Sequence, residues 1–128
     1  MKIEYRSGLL FCSIELSYRG NTKVIENVAI DTGAAESIIS LESVEDMGVF
    51  VEPDDVINSF VGVGGSLHHF FSKEIAGISI GTLTVNDIKM DFGIIDPRGE
   101  INGLLGLDIL VNAGAIINLK DLLLEFPA

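Results

Sequence analysis

An aspartate at the end of an apolar run is the residue of this chain best placed to carry out chemistry. Asp31 follows Val28-Ala29-Ile30 and precedes Thr32 and Gly33. Its carboxylate is therefore expected at the end of a buried strand, in a tight turn that glycine permits. A carboxyl group held in this way can accept a proton when it is ionised and donate one when it is protonated. Asp and Gly are also common in ordinary turns, and this tripeptide arises by chance in about a few per cent of chains of this length. The surrounding sequence must decide between the two interpretations.

The composition predicts one globular domain built mainly from β-strands. The 128 residues suit a single domain, residues 1–128, and a 48% share of apolar residues is too high for a disordered chain. Fourteen glycines indicate frequent tight turns. β-branched and aromatic residues alternate while helix-period stretches stay short, which is typical of an all-β fold with one or two short helices.

The charge and the single cysteine restrict the partners and the compartment. A formal net charge of −11 repels phosphate backbones, which argues against nucleic-acid binding. Cys12 has no second cysteine to pair with, so a reducing compartment is expected. The first residues lack the apolar stretch of a signal peptide, and no apolar run is long enough to span a membrane. These features predict a cytoplasmic protein that does not bind membranes.

Two hairpins are predicted, and the first leads into Asp31. Its strands cover residues 9–18 and 22–30, joined by a turn at Arg19-Gly20-Asn21. The second hairpin has strands at 56–63 and 67–75 around a glycine-rich turn. Further short strands are expected at residues 37–40, 78–80, 83–85, 89–95, 115–119 and 122–126.

Two short helices are predicted from capping signals. Ser40 is a suitable N-cap for a helix over residues 41–47, and Gly48 follows it in the position that favours a left-handed backbone. A second helix over residues 107–113 is expected to stop at Gly114.

Other polar residues receive structural interpretations. His68 and His69 are adjacent on a strand and would point to opposite faces, so no metal site and no cofactor are expected. Asp108 is expected to cap the second helix, where a carboxylate satisfies free N–H groups. Cys12 lies on an apolar strand face and is expected in the core.

Three segments, in order along the chain, carry a resemblance to a known family. They are Ala29-Ile30-Asp31-Thr32-Gly33-Ala34, Phe60-Val61-Gly62-Val63-Gly64-Gly65 and Asn102-Gly103-Leu104-Leu105-Gly106-Leu107-Asp108-Ile109-Leu110. Over about residues 24–119 the chain resembles the retropepsin-like aspartic proteases, single-lobe relatives of pepsin. In that family the first segment is similar to the catalytic loop and the second to a flap tip. The third is similar to the segment that packs beneath the catalytic loop. The implied fold is a closed, mainly antiparallel acid-protease barrel.

The resemblance implies an aspartic endopeptidase that works as a homodimer. Each subunit would contribute one Asp31, and the two carboxylates would share a proton because like charges that close cannot both ionise, as in aspartic proteases generally. The ionised carboxylate would take a proton from water while the protonated one donates to the carbonyl oxygen of the substrate. Thr32 would grip its twin across the dimer axis, and the Gly33 backbone N–H would hold the carboxylate.

The substrate implied by the resemblance is an extended peptide or protein segment. Gly64 and Gly65 would let the flap bend and close over it. In viral members the residues after the catalytic Gly-Ala are often acidic, whereas here Ala35 is followed by Glu36. Residues 41–53 look like an insertion relative to compact viral members. The residues implied in substrate binding are Ala34, Ala35, Glu36, Val61, Gly62, Val63, Gly64 and Gly65.

Several alternatives stay open at this point. The chain could be a catalytically inactive module of the same fold that binds peptides or dimerises. It could also be a monomeric β-barrel for a small ligand, with Asp31 an ordinary turn residue. Residues 62–65 could be a plain hairpin turn, and a phosphate loop is disfavoured because no Gly-Lys-Ser/Thr follows. The apolar terminal segments, residues 3–5 and 122–126, are predicted to pair across the dimer interface.

Overall fold

A computed structural model describes residues 1–61, 65, 67–96 and 98–127, and in them strands dominate. The predicted all-β fold class is confirmed, with two α-helices of one turn each among these residues. The strands are β1 (Glu4–Arg6), β2 (Leu9–Tyr18), β3 (Asn21–Ile30), β4 (Ile38–Ser40), β5 (Ile57–Val61), β6 (Leu67–Ile80), β7 (Leu83–Gly93), β8 (Gly103–Leu105), β9 (Ile116–Asn118) and β10 (Leu123–Glu125). The helical segments are α1 (Leu41–Val44), a 3-10 turn (Glu45–Met47) and α2 (Leu107–Leu110).

Eight strands form one sheet that closes on itself. The order of hydrogen-bonded neighbours is β1-β2-β3-β8-β4-β7-β6-β5, and an additional β2–β6 pairing joins strands that stand far apart in that order. Six strands thereby form a ring, which leaves β1 and β5 outside it. Most pairs are antiparallel, while β3–β8 and β4–β7 are parallel.

The first predicted hairpin is confirmed in β2 and β3. Along β2 the side chains of Cys12, Ile14, Leu16 and Tyr18 are buried, as the alternation predicts. The register of the two strands shifts between Cys12 and Ile14, opposite Asn27, whose φ is +58°. An irregularity of this kind strengthens strand twist.

Two long strands replace four predicted short ones. The sequence predicts a break at Ala76-Gly77, but β6 runs through it without interruption. Gly77 has a strand on each side, since it pairs with Ser17 of β2 and with Asn86 of β7. The ladder on both sides keeps the glycine in the strand. The predicted strands 83–85 and 89–95 likewise merge into β7.

The helical segments lie where the sequence predicts them, but they are shorter. Residues 41–47 divide into α1 and the 3-10 turn, because so short a segment tightens in its last turn. Gly48 follows with φ +89°, as expected. Ser40 occupies the N-cap position, but its side chain makes no capping hydrogen bond. α2 ends at Leu110, and a turn continues to Gly114 at φ +62°.

The terminal segments pair with each other within one chain. Lys2 forms a bridge with Leu123, and the Leu124 N–H donates to the Met1 carbonyl oxygen at 2.9 Å. β1 also pairs with β2, and β10 pairs with β9. These segments are therefore not the unpaired edges that the sequence suggested, since each has a partner within the chain. Their pairing across a subunit interface stays a prediction.

The core lies inside the ring of strands. Its fully buried side chains include Leu16, Ile25, Ile78 and Phe92. Cys12 belongs to this core, as predicted, and its burial raises the pKa of the thiol to about 12. None of the helices in the described part of the chain is long and apolar enough to cross a membrane.

Candidate active site

The Asp31 loop is fixed where β3 ends. The Asp31 N–H donates to the Leu105 carbonyl oxygen at 2.9 Å, which extends the β3–β8 ladder by one bond. The Gly33 N–H donates to Oδ1 of Asp31 at 2.9 Å, and the Ala34 N–H donates to the Asp31 carbonyl oxygen at 3.2 Å. The tight turn expected from the sequence is present. It holds the carboxylate in place by a backbone donor.

The tip of this loop faces outward. Asp31 and Ala34 are half-buried, whereas Thr32, Gly33 and Ala35 are exposed. Glu36 is also exposed. The loop therefore follows a buried strand, and the side chains of Asp31 and Thr32 are accessible to a molecule that binds on this face.

The first turn of α2 supports the loop from below. The Leu107 N–H donates to the Ala34 carbonyl oxygen at 2.8 Å, and the Asp108 N–H donates to that of Ala35 at 3.1 Å. The first N–H groups of a helix have no partner within the helix, and here the loop carbonyls satisfy them. A Cβ added to Gly106 would lie 2.8 Å from the Ala34 oxygen and 2.9 Å from the Glu36 oxygen. Loop and helix meet at this glycine.

Ser37 and Asp108 connect the loop to α2 through their side chains. Oγ of Ser37 donates to Oδ1 of Asp108 at 2.7 Å, and the Ser37 N–H donates to Oδ2 at 3.0 Å. The Gly106 N–H donates to Oγ of Ser37 at 2.8 Å. Ser37 is only 2% exposed, so a lost partner here would leave buried polar groups unsatisfied.

Asp108 makes more contacts than the capping role predicted for it requires. Its Oδ1 does accept from the Ile109 N–H at 2.9 Å, as a capping residue would. The N-cap residue, however, is Gly106. The local sequence pattern predicts no partner for Ser37. The signal that points to Ser37 is a small polar residue placed directly before the apolar pair Ile38-Ile39.

The segment predicted to pack beneath the loop does so. β8 lies between β3 and β4, and Gly103 makes this close approach possible. A Cβ at Gly103 would lie 2.8 Å from Cδ1 of Ile39 and 3.4 Å from Cγ1 of Val28. Residues 31–37 and 103–109 thus form one hydrogen-bonded unit.

The glycine-rich turn belongs to a separate hairpin. In β5–β6, Val61 pairs with Leu67, and Gly65 has φ +81°. The predicted binding residues Gly62, Val63 and Gly64 lie outside the described residues. β7 pairs with β6 only from Phe70 onward, so the hairpin extends beyond the sheet. The side chains of Val61 and Leu67 are 69% and 58% exposed.

A metal site was not expected from the sequence. Within residues 1–61, 65, 67–96 and 98–127, no group of three or more His, Cys, Asp and Glu side chains could hold a metal ion.

Comparison with known proteins places this geometry in a family. A sequence model of the family described as aspartyl protease matches residues 14–109. A retropepsin-like aspartic protease from Rickettsia conorii superimposes with a TM-score of 0.66 at 21% identity, covering 97% of this chain and 95% of that one. The retroviral protease-like domain of Ddi1 from Leishmania major gives 0.63 at 18%, covering 92% and 87%. EIAV protease, solved with the inhibitor HBY-793, gives 0.62 at 20%, covering 91% and 99%.

One curated relative is a longer protein that is named for a different activity. The ferredoxin–NADP reductase of Halalkalibacterium halodurans is 30% identical over 81 residues, which is 63% of this chain. The matched stretch is 24% of the reductase, so the chain spans about a quarter of the length of that relative. The likenesses to solved structures, all below 25% identity, establish the fold.

Proposed function

The chain belongs to the aspartyl protease family, and from this premise we propose that it is an aspartic endopeptidase acting as a homodimer. The observation that carries the proposal is the Asp31 loop. Its carboxylate is held by the Gly33 N–H at 2.9 Å on an outward-facing turn, and a frame of buried strands and α2 supports it.

The chemistry requires a second carboxylate. The catalytic tripeptide Asp31-Thr32-Gly33 occurs once in the chain, and a two-fold axis would bring two copies of Asp31 together. One ionised and one protonated carboxylate can activate a water and protonate the carbonyl oxygen of the peptide.

The surface beside the loop supports a dimer. Thr32 is exposed in the single chain. The family resemblance implies that its hydroxyl forms hydrogen bonds with Thr32 of a second copy. Leu107, the first residue of α2, and Val111, its C-cap residue, are four residues apart and 36% and 68% exposed. A second copy on this face would cover the threonine and both apolar side chains.

An extended peptide is the proposed substrate. Ala34, Ala35 and Glu36 would line one side of it, and the β5–β6 hairpin would act as the flap on the other. The exposed apolar pair Val61 and Leu67 on that hairpin is suited to contact substrate side chains. Backbone hydrogen bonds would give affinity, and pockets for alternate side chains would give specificity.

A second candidate is a catalytically inactive module of the same fold. The 81-residue match within a protein named as a reductase favours it, because there a similar sequence lies in a chain named for another activity. A peptide-library digestion from acidic to neutral pH separates the two, since only the peptidase cleaves. A monomeric mass by light scattering, together with no cleavage, would instead favour a small-ligand barrel.

Removing the Thr32 hydroxyl is expected to weaken the dimer more than the subunit fold. Each buried group left unsatisfied costs about 1–3 kcal/mol, so Thr32→Ala should raise the dimer Kd by roughly five- to 150-fold for each lost partner. Sedimentation equilibrium measures this Kd. Thr82→Ala, at an exposed turn, is the matched control, and equal Kd values for the two variants would contradict the grip.

Stiffening the hairpin tip is expected to impair turnover while leaving stability little changed. Gly65 has φ +81°, and a Cβ there would meet no atom within 4 Å, so Gly65→Val acts through backbone strain rather than crowding. Gly20→Val is the matched control, because Gly20 has φ +84° and equally open space at another hairpin. Melting temperature and kcat are measured on both. A fully active Gly65→Val protein would show that this hairpin is not the flap.

A further inference from the structure

A buried lysine lies at the base of the β5–β6 hairpin. Lys73 is in β6 and only 7% exposed. Its Nζ lies 2.7 Å from Oε1 of Glu52 and 2.5 Å from Oδ2 of Asp55. A buried ammonium is stable only when it is paired and hydrogen-bonded. Both carboxylates come from the loop that precedes β5, so the lysine ties that loop to β6.

The ion pair lies just beyond the end of the hairpin ladder, whose last pair is Ile57 with Phe71. Asp55 lies two residues before Ile57 and Lys73 lies two residues after Phe71, so their side chains meet where the next pair of the same register would be. Opposite charges that face each other across two strands stabilise the pairing. The ion pair between Lys73 and Asp55 therefore holds the two chain segments together at the base of the hairpin.

The loop around Lys73 is closed by its own hydrogen bonds. The Glu52 N–H donates to Oδ2 of Asp55 at 2.7 Å, and the Asp55 N–H donates to the Glu52 carbonyl oxygen at 3.0 Å. Nη2 of Arg19, from the β2–β3 turn, lies 2.9 Å from Oε1 of Glu52. Through Glu52, Lys73 thus connects the β5–β6 hairpin to this hydrogen-bonded loop and to the β2–β3 hairpin.

The carboxylates of Glu52 and Asp55 stay ionised to a lower pH than ordinary carboxyl groups do. The hydrogen bond from Lys73 lowers the pKa of both Glu52 and Asp55. Burial by itself lowers the pKa of Lys73, but the hydrogen bonds to the two carboxylates outweigh it and raise that pKa. Because the carboxyl pKa values are lowered on folding, the stabilisation is complete above the ordinary carboxyl range. It is lost only as the pH falls through the lowered values. Tyr18, Asp54 and Glu74 also line the space around the cluster.

The hairpin depends on this base for its orientation. β5 is the last strand in the sheet order and has β6 as its only strand neighbour among the described residues. Leu67–His69 extend past the end of β7, so a small change of angle at the base displaces the tip much further. We propose that Lys73 is a positioning residue, which orients the β5–β6 hairpin over the substrate by holding residues 52–55 against β6. In its reference to a substrate, this inference rests on the proposed function.

Native-state hydrogen exchange of the full chain tests the hold on the hairpin. In Lys73→Met we expect the amides of Ile57–Val61 and of residues 67–71 to exchange about tenfold faster or more, while those of β2 and β3 keep the wild-type rates. Lys73→Arg should restore the protection. Lys23→Met is the matched control, because Lys23 also pairs with a carboxylate, at 2.8 Å from Asp46, but lies in β3. Unchanged hairpin exchange, or equal acceleration throughout the chain, would overturn the proposal.

Steady-state kinetics on the same variants test the link to substrate. Lys73→Met should raise KM with a smaller effect on kcat, and Lys73→Arg should recover the wild-type value. A hairpin that loses protection while KM stays unchanged would overturn the positioning role. If the wild type cleaves no peptide, the proposed function fails, and the exchange result still decides whether Lys73 holds the hairpin.

Discussion

Replacing Asp31 with asparagine is expected to abolish peptide hydrolysis and leave the fold intact. Asparagine is nearly isosteric and can still accept the Gly33 N–H, which lies 2.9 Å from Oδ1. It cannot exchange a proton with water or with a leaving group, and general acid–base catalysis is worth about 100-fold to 10,000-fold in rate. Because the proposed pair of Asp31 carboxylates would share one catalytic proton, we expect kcat to fall by at least about 1,000-fold.

The control for this substitution is Asp87→Asn. Asp87 is an exposed aspartate in β7, so its replacement makes the same change of charge and shape away from the loop. Turnover of a peptide substrate and the melting temperature are measured for both variants. Unchanged turnover in Asp31→Asn would remove Asp31 from the mechanism, and loss of turnover in Asp87→Asn would point to a nonspecific effect of charge.

Adding a methyl group at Gly106 is expected to produce the largest loss of stability among single glycine replacements at the site. The new Cβ would lie 2.8 Å from the Ala34 oxygen and 2.8 Å from the carbonyl carbon of Glu36. Both are backbone atoms, so the loop or α2 must move. Overpacking of this kind costs about 1–3 kcal/mol or more. Each kcal/mol corresponds to a fall in Tm of roughly 3–5 °C for a chain of this size. Activity should fall with it, since the same loop carries Asp31.

The control is a glycine with a positive φ and open space around it. Gly20 has φ +84° and open space around it, so Gly20→Ala meets only backbone strain, whereas Gly106 has an ordinary φ of −99° and meets only steric contact. We expect Gly106→Ala to lower Tm more and to lose turnover, while Gly20→Ala keeps its turnover. Equal melting temperatures in the two variants would contradict the packing argument.

The sequence predicts the Asp31 loop because its signals are local, since an apolar run followed by Asp-Thr-Gly predicts a strand that ends in a turn. The support beneath the loop was implied by the family resemblance of residues 102–110, and the close approaches at Gly103 and Gly106 agree with it. The first hairpin is correct for the same reason, since alternation along β2 and a short turn define both strands. These elements need no knowledge of distant residues.

The features that the sequence does not predict depend on contacts between distant residues. Gly77 stays in β6 because strands flank it on both sides, and nothing near it in the sequence announces either neighbour. The hold of Lys73 on Asp55 and the network of Ser37 with Asp108 are equally non-local. The terminal segments pair with each other because the fold brings them together, whereas local reasoning sees only two unpaired strands.

The parallel pairing of β3 with β8 also has a consequence for the time at which the site appears during biosynthesis. Ser37 and its partner Asp108 are 71 residues apart, and β8 is made long after the Asp31 loop. At about 5–20 residues per second, a ribosome needs roughly 4–14 s to cover that interval. During this time residues 31–37 have neither the β8 ladder nor the first turn of α2 to hold them. We therefore expect that a nascent chain has no peptidase activity until its last quarter has emerged and folded.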